Sequence, residues 1–240
     1  MAVSKAKTKA SGSGRVGRPP AKKGANGKQE TLKRQRRREE IYKVAIGVFN
    51  RKGYASASMQ DIADEIGVLK GSLYYYIDSK EDLLEGIFTQ SDQEFMELIE
   101  EALALEVSEV ERLRSFARSW CLWYLKNIER ARIYVNDWGQ LTGKRRTKVA
   151  RARREYGDQV QGIIDRAVAE AGFESEVDSH WARLYVFSAI NGLPMWYRRN
   201  GSSSPEEISI AYGELICRTV LCAESAELID SAPGQRRKRS

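Results

Sequence analysis

Two lysines and three consecutive tyrosines form the segment of this sequence with the clearest binding chemistry. The residues are Lys70, Tyr74, Tyr75, Tyr76 and Lys80. Ammonium groups and phenolic hydroxyls donate hydrogen bonds to phosphate oxygens, and phenol rings contact the thymine methyl group in the major groove of DNA. An aromatic patch that contacts another protein is the alternative. The flanking positive charge favours nucleic acid.

Catalytic chemistry finds little support in the sequence. The one histidine, His180, has no cysteine or serine partner in a recognisable motif, and no Gly-x-Ser-x-Gly segment occurs. The cysteines Cys121, Cys217 and Cys222 are odd in number and lack the spacing of metal or redox sites. We therefore expect no enzymatic activity, no cofactor, no metal site and no disulfide, and a location in the reducing cytoplasm.

Positive charge is concentrated at the two ends of the 240-residue chain, whose net charge is +7. Residues 1–38 are rich in lysine and arginine and contain a single acid, Glu30, and the last ten residues carry four basic side chains. Such segments bury too little to fold alone, and they attract polyanions. We predict a disordered basic arm over residues 1–32, a disordered basic tail over residues 226–240, and nucleic acid as their partner.

A membrane partner is not expected. No stretch approaches the roughly 20 apolar residues that a membrane-spanning helix needs. The N-terminus lacks the apolar core of a secretory signal, and no amphipathic helix with a basic face accompanies the tails.

Two basic segments near the N-terminus are candidates for additional DNA contacts. The segment Arg15-Val16-Gly17-Arg18-Pro19-Pro20 resembles an AT-hook, whose core is Gly-Arg-Pro. Glycine and proline keep the chain narrow, so that Arg18 can enter an A·T-rich minor groove, although a solvated linker explains the same composition. Residues 33–38 place positive charge in the first turns of a predicted helix, where a nearby phosphate would be attracted. For this second run the sequence alone favours a solvated basic face.

Two short helices joined by a tight turn position the lysine and tyrosine side chains. Ser58 and Asp61 form a capping box that begins the first helix, and Gly67 supplies the turn. The second helix runs through Leu73 to Ile77. Two helices of about two turns each around a glycine are a helix-turn-helix arrangement.

The faces of the second helix follow from a rotation of about 100° per residue. Leu73 and Ile77, four residues apart, face the core. Tyr75 lies nearly opposite Leu73 and points outward. Tyr76 also points outward, whereas Tyr74 borders the core.

Residues 39–88 resemble the DNA-binding domain of the TetR (tetracycline repressor) family. The matching motifs are Asp61-Ile62-Ala63, Gly67-Val68, Gly71-Ser72-Leu73-Tyr74 and Ser79-Lys80-Glu81. The resemblance implies a helix-turn-helix domain over residues 33–82, in which the helix over residues 69–76 is the recognition helix that enters the DNA groove. Its contacts with the DNA groove and phosphates would fall on Ser58, Gln60, Lys70, Gly71, Ser72, Tyr74, Tyr75, Tyr76 and Lys80, to which the arm adds Arg18.

The sequence departs from the family pattern at three positions. Leu69 stands in place of the usual capping serine or threonine, Ile77 in place of the common phenylalanine, and Tyr76 in place of the common histidine. We therefore expect a shifted or water-capped start of the second helix, an unchanged core role for Ile77, and no pH sensitivity at Tyr76.

The remaining chain is predicted to be helical throughout. It lacks strand-like alternation, and its apolar periodicity indicates helices over residues 82–105, 108–127, 130–140, 143–171, 176–197 and 205–222. The predicted fold is all-α, with an N-terminal three-helix domain that contains the helix-turn-helix and a C-terminal helical bundle over residues 83–225. By the resemblance, this bundle binds an effector and forms a homodimer.

Apolar stripes on the last two helices are the candidate dimer seam. In TetR-like proteins these helices pair with those of a second subunit, and a two-fold dimer places two recognition helices about 34 Å apart. The protein's own core is the alternative. The stripes consist of Leu184, Phe187, Ile190, Leu193, Ile208, Tyr212, Leu215, Ile216 and Thr219.

Aromatic residues concentrate in the middle of the bundle, where such spacing most often indicates ordinary core. The resemblance implies a pocket for a small apolar effector, with Asn191, Asn136 or an arginine within residues 145–154 as a polar anchor. The segment over residues 196–201, before a Ser-Pro-Glu-Glu helix start, resembles one in TetR-type regulators of lipid and steroid catabolism. It implies an organic acid or its CoA ester as the effector. The predicted pocket residues are Phe116, Trp120, Trp123, Tyr124, Tyr134, Trp138 and Asn191.

The sequence as a whole predicts a ligand-responsive transcriptional repressor. A homodimer would set two recognition helices into successive major grooves of a near-palindromic double-stranded operator, and the effector would release it. The alternative is an architectural or nonspecific DNA-coating protein that acts through its basic tails. Removing residues 1–28 and 231–240 separates the two, because only the repressor would keep its sequence preference.

Overall fold

The computed structural model describes residues 23–172 and 179–221, with their side chains from residue 31 onward. These residues form nine α-helices and one short 3-10 turn, with no strand among them, which confirms the predicted all-α fold. The helices are α1 (Lys23–Lys52), α2 (Met59–Ile66), α3 (Lys70–Tyr74), α4 (Lys80–Leu103), α5 (Glu109–Lys126), α6 (Ile128–Asn136), α7 (Gly143–Ala171), α8 (Ser179–Trp196) and α9 (Pro205–Leu221). The AT-hook-like motif with Arg18 and the tail over residues 226–240 lie outside the described residues.

Helices α1 to α3 and the start of α4 form a small N-terminal unit, called the head below. Ile41 and Leu73 are each 1% exposed in its core. The predicted capping box begins α2, since the Asp61 N–H donates to Ser58 Oγ (3.2 Å) and the Ser58 N–H donates to Asp61 Oδ2 (2.8 Å). Gly67 ends α2 with a φ of +77°, in the left-handed region that favours glycine.

Two helices of the head differ in length from the prediction. Helix α1 begins at Lys23 rather than at residue 33, so the predicted disordered arm is wrong for residues 23–32. A helix that is already formed elongates without a new nucleation cost. Helix α3 is shorter than predicted, because the Leu73 carbonyl accepts hydrogen bonds from the N–H groups of both Tyr76 (3.0 Å) and Ile77 (3.1 Å), which closes a tight turn.

Helix α5 lies at the centre of the C-terminal body and packs on α4, α7, α8 and α9. Its buried face carries Leu113, Phe116, Trp120 and Tyr124 at a spacing of three or four residues. Helix α4 runs from the head into this body, so the predicted domain boundary at residues 82 and 83 falls within one continuous helix. Each described helix is too short or too polar for a bilayer crossing.

Helices α8 and α9 leave large apolar side chains exposed, and these are called the uncovered face below. Of the predicted seam residues, Leu184 and Leu215 lie on this face, whereas Ile190, Leu193 and Ile216 are at most 1% exposed. The predicted stripe therefore combined residues of two different sides of these helices. The inner side packs on α5 and belongs to the protein's own core. The uncovered face comprises Trp181, Leu184, Tyr185, Met195, Trp196, Ile210 and Leu215.

Candidate nucleic-acid interface and aromatic cluster

The outer face of α3 carries two exposed tyrosines. Tyr75 is 66% exposed and Tyr74 is 44% exposed. The predicted outward position of Tyr75 is confirmed. The predicted position of Tyr74 beside the core is wrong, because Leu73 and Ile77 already fill the inward side of this short helix. Tyr76, also predicted to point outward, is instead half-buried against the core. Its ring meets that of Tyr75 edge to face at a centroid distance of 5.0 Å.

Each exposed tyrosine has a cation near its ring. Lys70 Nζ lies 6.0 Å from the ring centroid of Tyr74, and Arg34 Cζ, on α1, lies 5.4 Å from that of Tyr75. The sequence indicated Arg34 only as one member of the basic run over residues 33–38. Ammonium, guanidinium and phenol donors thus share one surface. The exposed residues of α3 and its end are Lys70, Gly71, Ser72, Tyr74 and Tyr75.

Lys80, predicted to contact DNA, points instead into the head. Its Nζ donates hydrogen bonds to the carbonyls of Tyr54 (2.7 Å), Ala55 (3.2 Å) and Ala57 (2.8 Å). It also lies 4.4 Å from the ring centroid of Tyr54. All three ammonium protons therefore have acceptors in the connection between α1 and α2, against the predicted phosphate contact.

Ser58 and Gln60 have local hydrogen-bond partners. Ser58 Oγ donates to Asp61 Oδ2 (2.7 Å), and Gln60 Nε2 donates to Asp64 Oδ1 (2.7 Å). Hydrogen bonds from Lys52 and then from Ser58 lower the pKa of Asp61 to about 2, so this cap stays ionised. Both Ser58 and Gln60 are exposed, and their contact with DNA stays a prediction.

A cluster of buried aromatic rings fills the body between α4, α5, α6 and α7. Phe95 stacks on Tyr156 at a centroid distance of 5.3 Å and meets Tyr134 edge to face at 5.0 Å. Trp120 meets Tyr156 at 5.4 Å. The sequence did not point to Phe95 and Tyr156, because only packing brings α4 and α7 against α5. The aromatic cluster comprises Phe95, Phe116, Trp120, Tyr124, Tyr134 and Tyr156, each at most 2% exposed.

The other predicted pocket residues lie at the edge of the cluster or outside it. Trp123 is half-buried at the edge. Asn191, on α8, accepts a hydrogen bond from the Tyr124 hydroxyl (2.8 Å). Trp138 is 36% exposed, and its predicted place in the pocket is wrong, because α6 ends at Asn136 and the 3-10 turn carries Trp138 to the surface.

Two polar groups inside the aromatic cluster have no hydrogen-bond partner among the described residues. They are the Trp120 Nε1–H and the Tyr156 hydroxyl. A buried donor without a partner costs about 1–3 kcal/mol. Burial raises the pKa of Tyr156, so its hydroxyl stays protonated and remains a donor. A ligand with acceptor atoms would satisfy both groups.

A buried carboxyl lies beside the cluster. Asp92, on α4, is 7% exposed and accepts a hydrogen bond from the Tyr134 hydroxyl at 2.6 Å. Burial raises the pKa of Asp92 to about 6, an effect that the Tyr134 hydrogen bond and the charge of Arg153 partly offset. The Arg153 guanidinium lies 4.6 Å from the Tyr134 ring centroid.

An open cleft of about 320 Å³ lies between the head and the body, beside α1 and α6. Arg130 borders this cleft and also lies 4.7 Å from the ring centroid of Trp123. Arg130 Nη1 donates to Glu94 Oε1 (2.8 Å), and Trp123 Nε1 donates to Glu94 Oε2 (2.6 Å). Trp123 also meets Phe95 of the aromatic cluster at a centroid distance of 4.4 Å, so Arg130 and Trp123 connect the lining of the cleft to the cluster. The charged residues of the cleft are Glu39, Lys43, Lys126, Glu129, Arg130 and Arg199.

Models of one protein family match both parts of the chain. The model described as bacterial regulatory proteins, tetR family, matches residues 41–87, which contain α2 and α3. The model described as the tetracyclin repressor-like C-terminal domain matches residues 106–220, which contain α5 to α8 and nearly all of α9.

Individual proteins show the same likeness. The HTH-type transcriptional repressor KstR2 of Rhodococcus jostii is 23% identical over 188 residues, which are 78% of this chain and 92% of that protein. The HTH-type transcriptional activator FasR of Mycolicibacterium smegmatis is 32% identical over 168 residues, which are 70% of this chain and 73% of that protein. The crystal structure of AibR in complex with isovaleryl coenzyme A and operator DNA superposes with a TM-score of 0.68 at 23% identity, covering 75% of this chain and 97% of that one. Because one family matches both parts and FasR is 32% identical, the chain belongs to the TetR family of DNA-binding transcription regulators, which are not enzymes.

Proposed function

We propose that this protein is a repressor that binds a near-palindromic operator as a homodimer and leaves it when an acyl effector binds. The outer face of α3 is the observation that carries the proposal. Tyr74 and Tyr75 are exposed there beside Lys70, while Leu73 anchors the helix in the head. The second helix of a helix-turn-helix lies in the major groove, where phenol and ammonium groups reach base edges and phosphates.

The uncovered face of α8 and α9 supports the homodimer. On this face Met195 is 70% exposed, Trp181 62% and Leu215 56%. Exposed apolar side chains concentrated on two helices mark an interaction surface. A second copy related by a two-fold axis would cover both faces with a four-helix seam and would place two recognition helices about 34 Å apart. This spacing corresponds to two half-sites in successive major grooves.

The aromatic cluster and the adjoining cleft support an acyl-CoA ester, or an apolar organic acid, as the effector. A thioester or carboxylate oxygen would accept hydrogen bonds from the unpartnered Trp120 Nε1–H and Tyr156 hydroxyl. Lys43, Lys126 and Arg199 in the cleft suit the phosphates of CoA. The similar structure of AibR holds isovaleryl coenzyme A together with operator DNA.

The route from effector to DNA passes through α6. The rings now fill the cluster, so an acyl chain would enter from the cleft as the barrier formed by Trp123, Arg130 and Glu94 opens. Arg130 lies on α6, whose Glu129 carbonyl accepts a hydrogen bond from Asn50 Nδ2 of α1 (2.9 Å). Displacement of α6 would therefore move the head. A difference of about 1–3 kcal/mol in effector affinity between the two states is enough for release.

Selection of bound duplexes from a random DNA pool tests the operator. The full chain should select an inverted repeat of two half-sites. Flanking A·T enrichment that is lost without residues 1–28 would assign a role to the arm. If no sequence is preferred and binding disappears when both tails are removed, the coating protein is the correct function.

Titration of the complex with isovaleryl-CoA, a long-chain acyl-CoA and free CoA tests the effector. Fluorescence anisotropy of the selected duplex should fall with an acyl ester and not with free CoA. The Tyr156→Phe protein keeps the ring and should need several-fold more ester for release. An ester that tightens the complex would indicate an activator, and no response to any ester would refute this effector class.

A further inference from the structure

The basic half of α1 lies against the recognition helix. Arg34 Cζ is 5.4 Å from the ring centroid of Tyr75, although the two residues are far apart in the sequence. Tyr75 in turn meets Tyr76 edge to face at 5.0 Å. The Tyr75 ring therefore has two neighbours and is still 66% exposed.

Helix geometry explains why Arg34 reaches α3. Ile41 and Ala45 are buried in the head and define the inner face of α1. Arg34 precedes Ile41 by seven residues, or about two turns, and so lies on the same face beyond the core. Arg36 is about 200° away around the helix and points to the opposite side.

The guanidinium of Arg34 differs in its contacts from those of its neighbours on α1. Within the part of the chain that the structure describes, no ion pair or side-chain hydrogen bond occupies its guanidinium. By contrast, Arg37 pairs with Glu40, and Arg38 donates to the Tyr42 hydroxyl (3.0 Å). A guanidinium that packs on a ring keeps its N–H groups free at the edge, where they match phosphate oxygens.

We propose that Arg34 binds a phosphate of the DNA backbone beside the groove that α3 enters, and that Tyr75 is the platform that positions it. The proposal rests on the proposed function only in that α3 must meet DNA. Contact with the ring restricts the rotamers of Arg34 before DNA arrives, so less conformational entropy is lost on binding. Tyr75 acts here through its ring and not through its hydroxyl. The first helix thereby contributes a DNA contact outside the helix-turn-helix.

Salt dependence tests the phosphate contact. Each neutralised phosphate contributes about 0.9 to the slope of log K against log salt concentration. With the full chain and a mixed-sequence duplex of about 30 base pairs, Arg34→Ala should lower this slope by about 0.9 per protomer. The variant would then lose about 3.5-fold less affinity per protomer between about 50 and 200 mM salt. Arg36→Ala removes the same charge from the opposite face and should lower the slope by less than half as much.

Variants of Tyr75 test the platform. Tyr75→Phe keeps the ring and should leave the slope unchanged even as loss of the hydroxyl lowers the affinity, because a neutral phenol releases no counterion. Tyr75→Leu should lower the slope as Arg34→Ala does. The double variant Arg34→Ala/Tyr75→Leu should lower the salt slope by no more than either single variant does, because the two side chains act as one unit. Circular dichroism confirms that each variant is folded.

Two results would overturn the proposal. Equal slopes for Arg34→Ala and Arg36→Ala would show that the charge of α1 acts diffusely, without a contact at Arg34. If Tyr75→Phe lowered the salt slope as much as Arg34→Ala does, the effect would belong to the Tyr75 hydroxyl and not to its ring. Because the duplex has no chosen sequence, failure to select an operator would refute the proposed function without changing the slope result.

Discussion

Replacing Asp92 with asparagine should stabilise the protein at neutral pH and have a smaller effect in acid. Asp92 is 7% exposed, and its Oδ1 accepts the hydrogen bond of the Tyr134 hydroxyl. Asparagine has nearly the same shape, and its Oδ1 accepts the same bond. The substitution therefore removes the charge that burial opposes, and it replaces Oδ2 by an amide NH2 whose effect does not change with pH.

The magnitude follows from the pKa of Asp92, which burial raises from 3.8 to about 6. Between these two values the folded protein holds the proton, while the unfolded chain has released it. Stability from this group is thus fully present below pH 3.8 and is lost as the pH rises through about 6. At about 1.36 kcal/mol per pKa unit, the total loss is about 3 kcal/mol. About 2 kcal/mol of it falls between about pH 4.5 and pH 7.5.

Urea unfolding followed by tryptophan fluorescence measures this effect, at a fixed protomer concentration because dimerisation changes apparent stability. The free energy of unfolding of the Asp92→Asn protein, minus that of the unchanged protein, should grow by about 2 kcal/mol from about pH 4.5 to pH 7.5. Asp165→Asn makes the same chemical change at an exposed position and should show no such trend. A difference that stays constant with pH would refute the reasoning, since the carboxyl would then ionise as readily in the folded protein as in the unfolded chain.

Lys80→Met should lower the free energy of unfolding by about 2 kcal/mol, because three backbone carbonyls lose a charged donor, and should leave the salt slope of DNA binding unchanged. A lower salt slope for Lys80→Met would show that Lys80 does contact a phosphate, as the sequence predicts. Gly86→Ala should destabilise the protein by about 1–3 kcal/mol, because the new Cβ would lie 2.6 Å from Tyr42 Cε1, and Tyr42→Ala in the same chain should relieve the loss. Leu215→Glu should yield a folded monomer in analytical ultracentrifugation at concentrations where the unchanged protein is a dimer. A persistent dimer would place the seam elsewhere.

The features that depend on neighbouring residues were predictable from the sequence. The capping box of Ser58 and Asp61, the turn at Gly67 and the outward position of Tyr75 all appear in the structure. Each results from interactions within one or two helical turns, so a short stretch of sequence contains all the atoms involved. The all-α fold follows for the same reason, because apolar periodicity is a local property of each helix.

Tertiary structure decided which partner each polar or aromatic side chain meets. Lys80 appears in the sequence as an exposed cation, yet the α1–α2 connection surrounds its ammonium with carbonyls. Trp138 follows a helical aromatic pattern until the end of α6 turns it away, and Tyr156 joins the aromatic cluster only because α7 packs on α5. Arg34 meets Tyr75 across two helices. Local sequence determines how each helix forms and which side it buries, whereas contacts between distant residues depend on how the helices pack, which no short segment specifies.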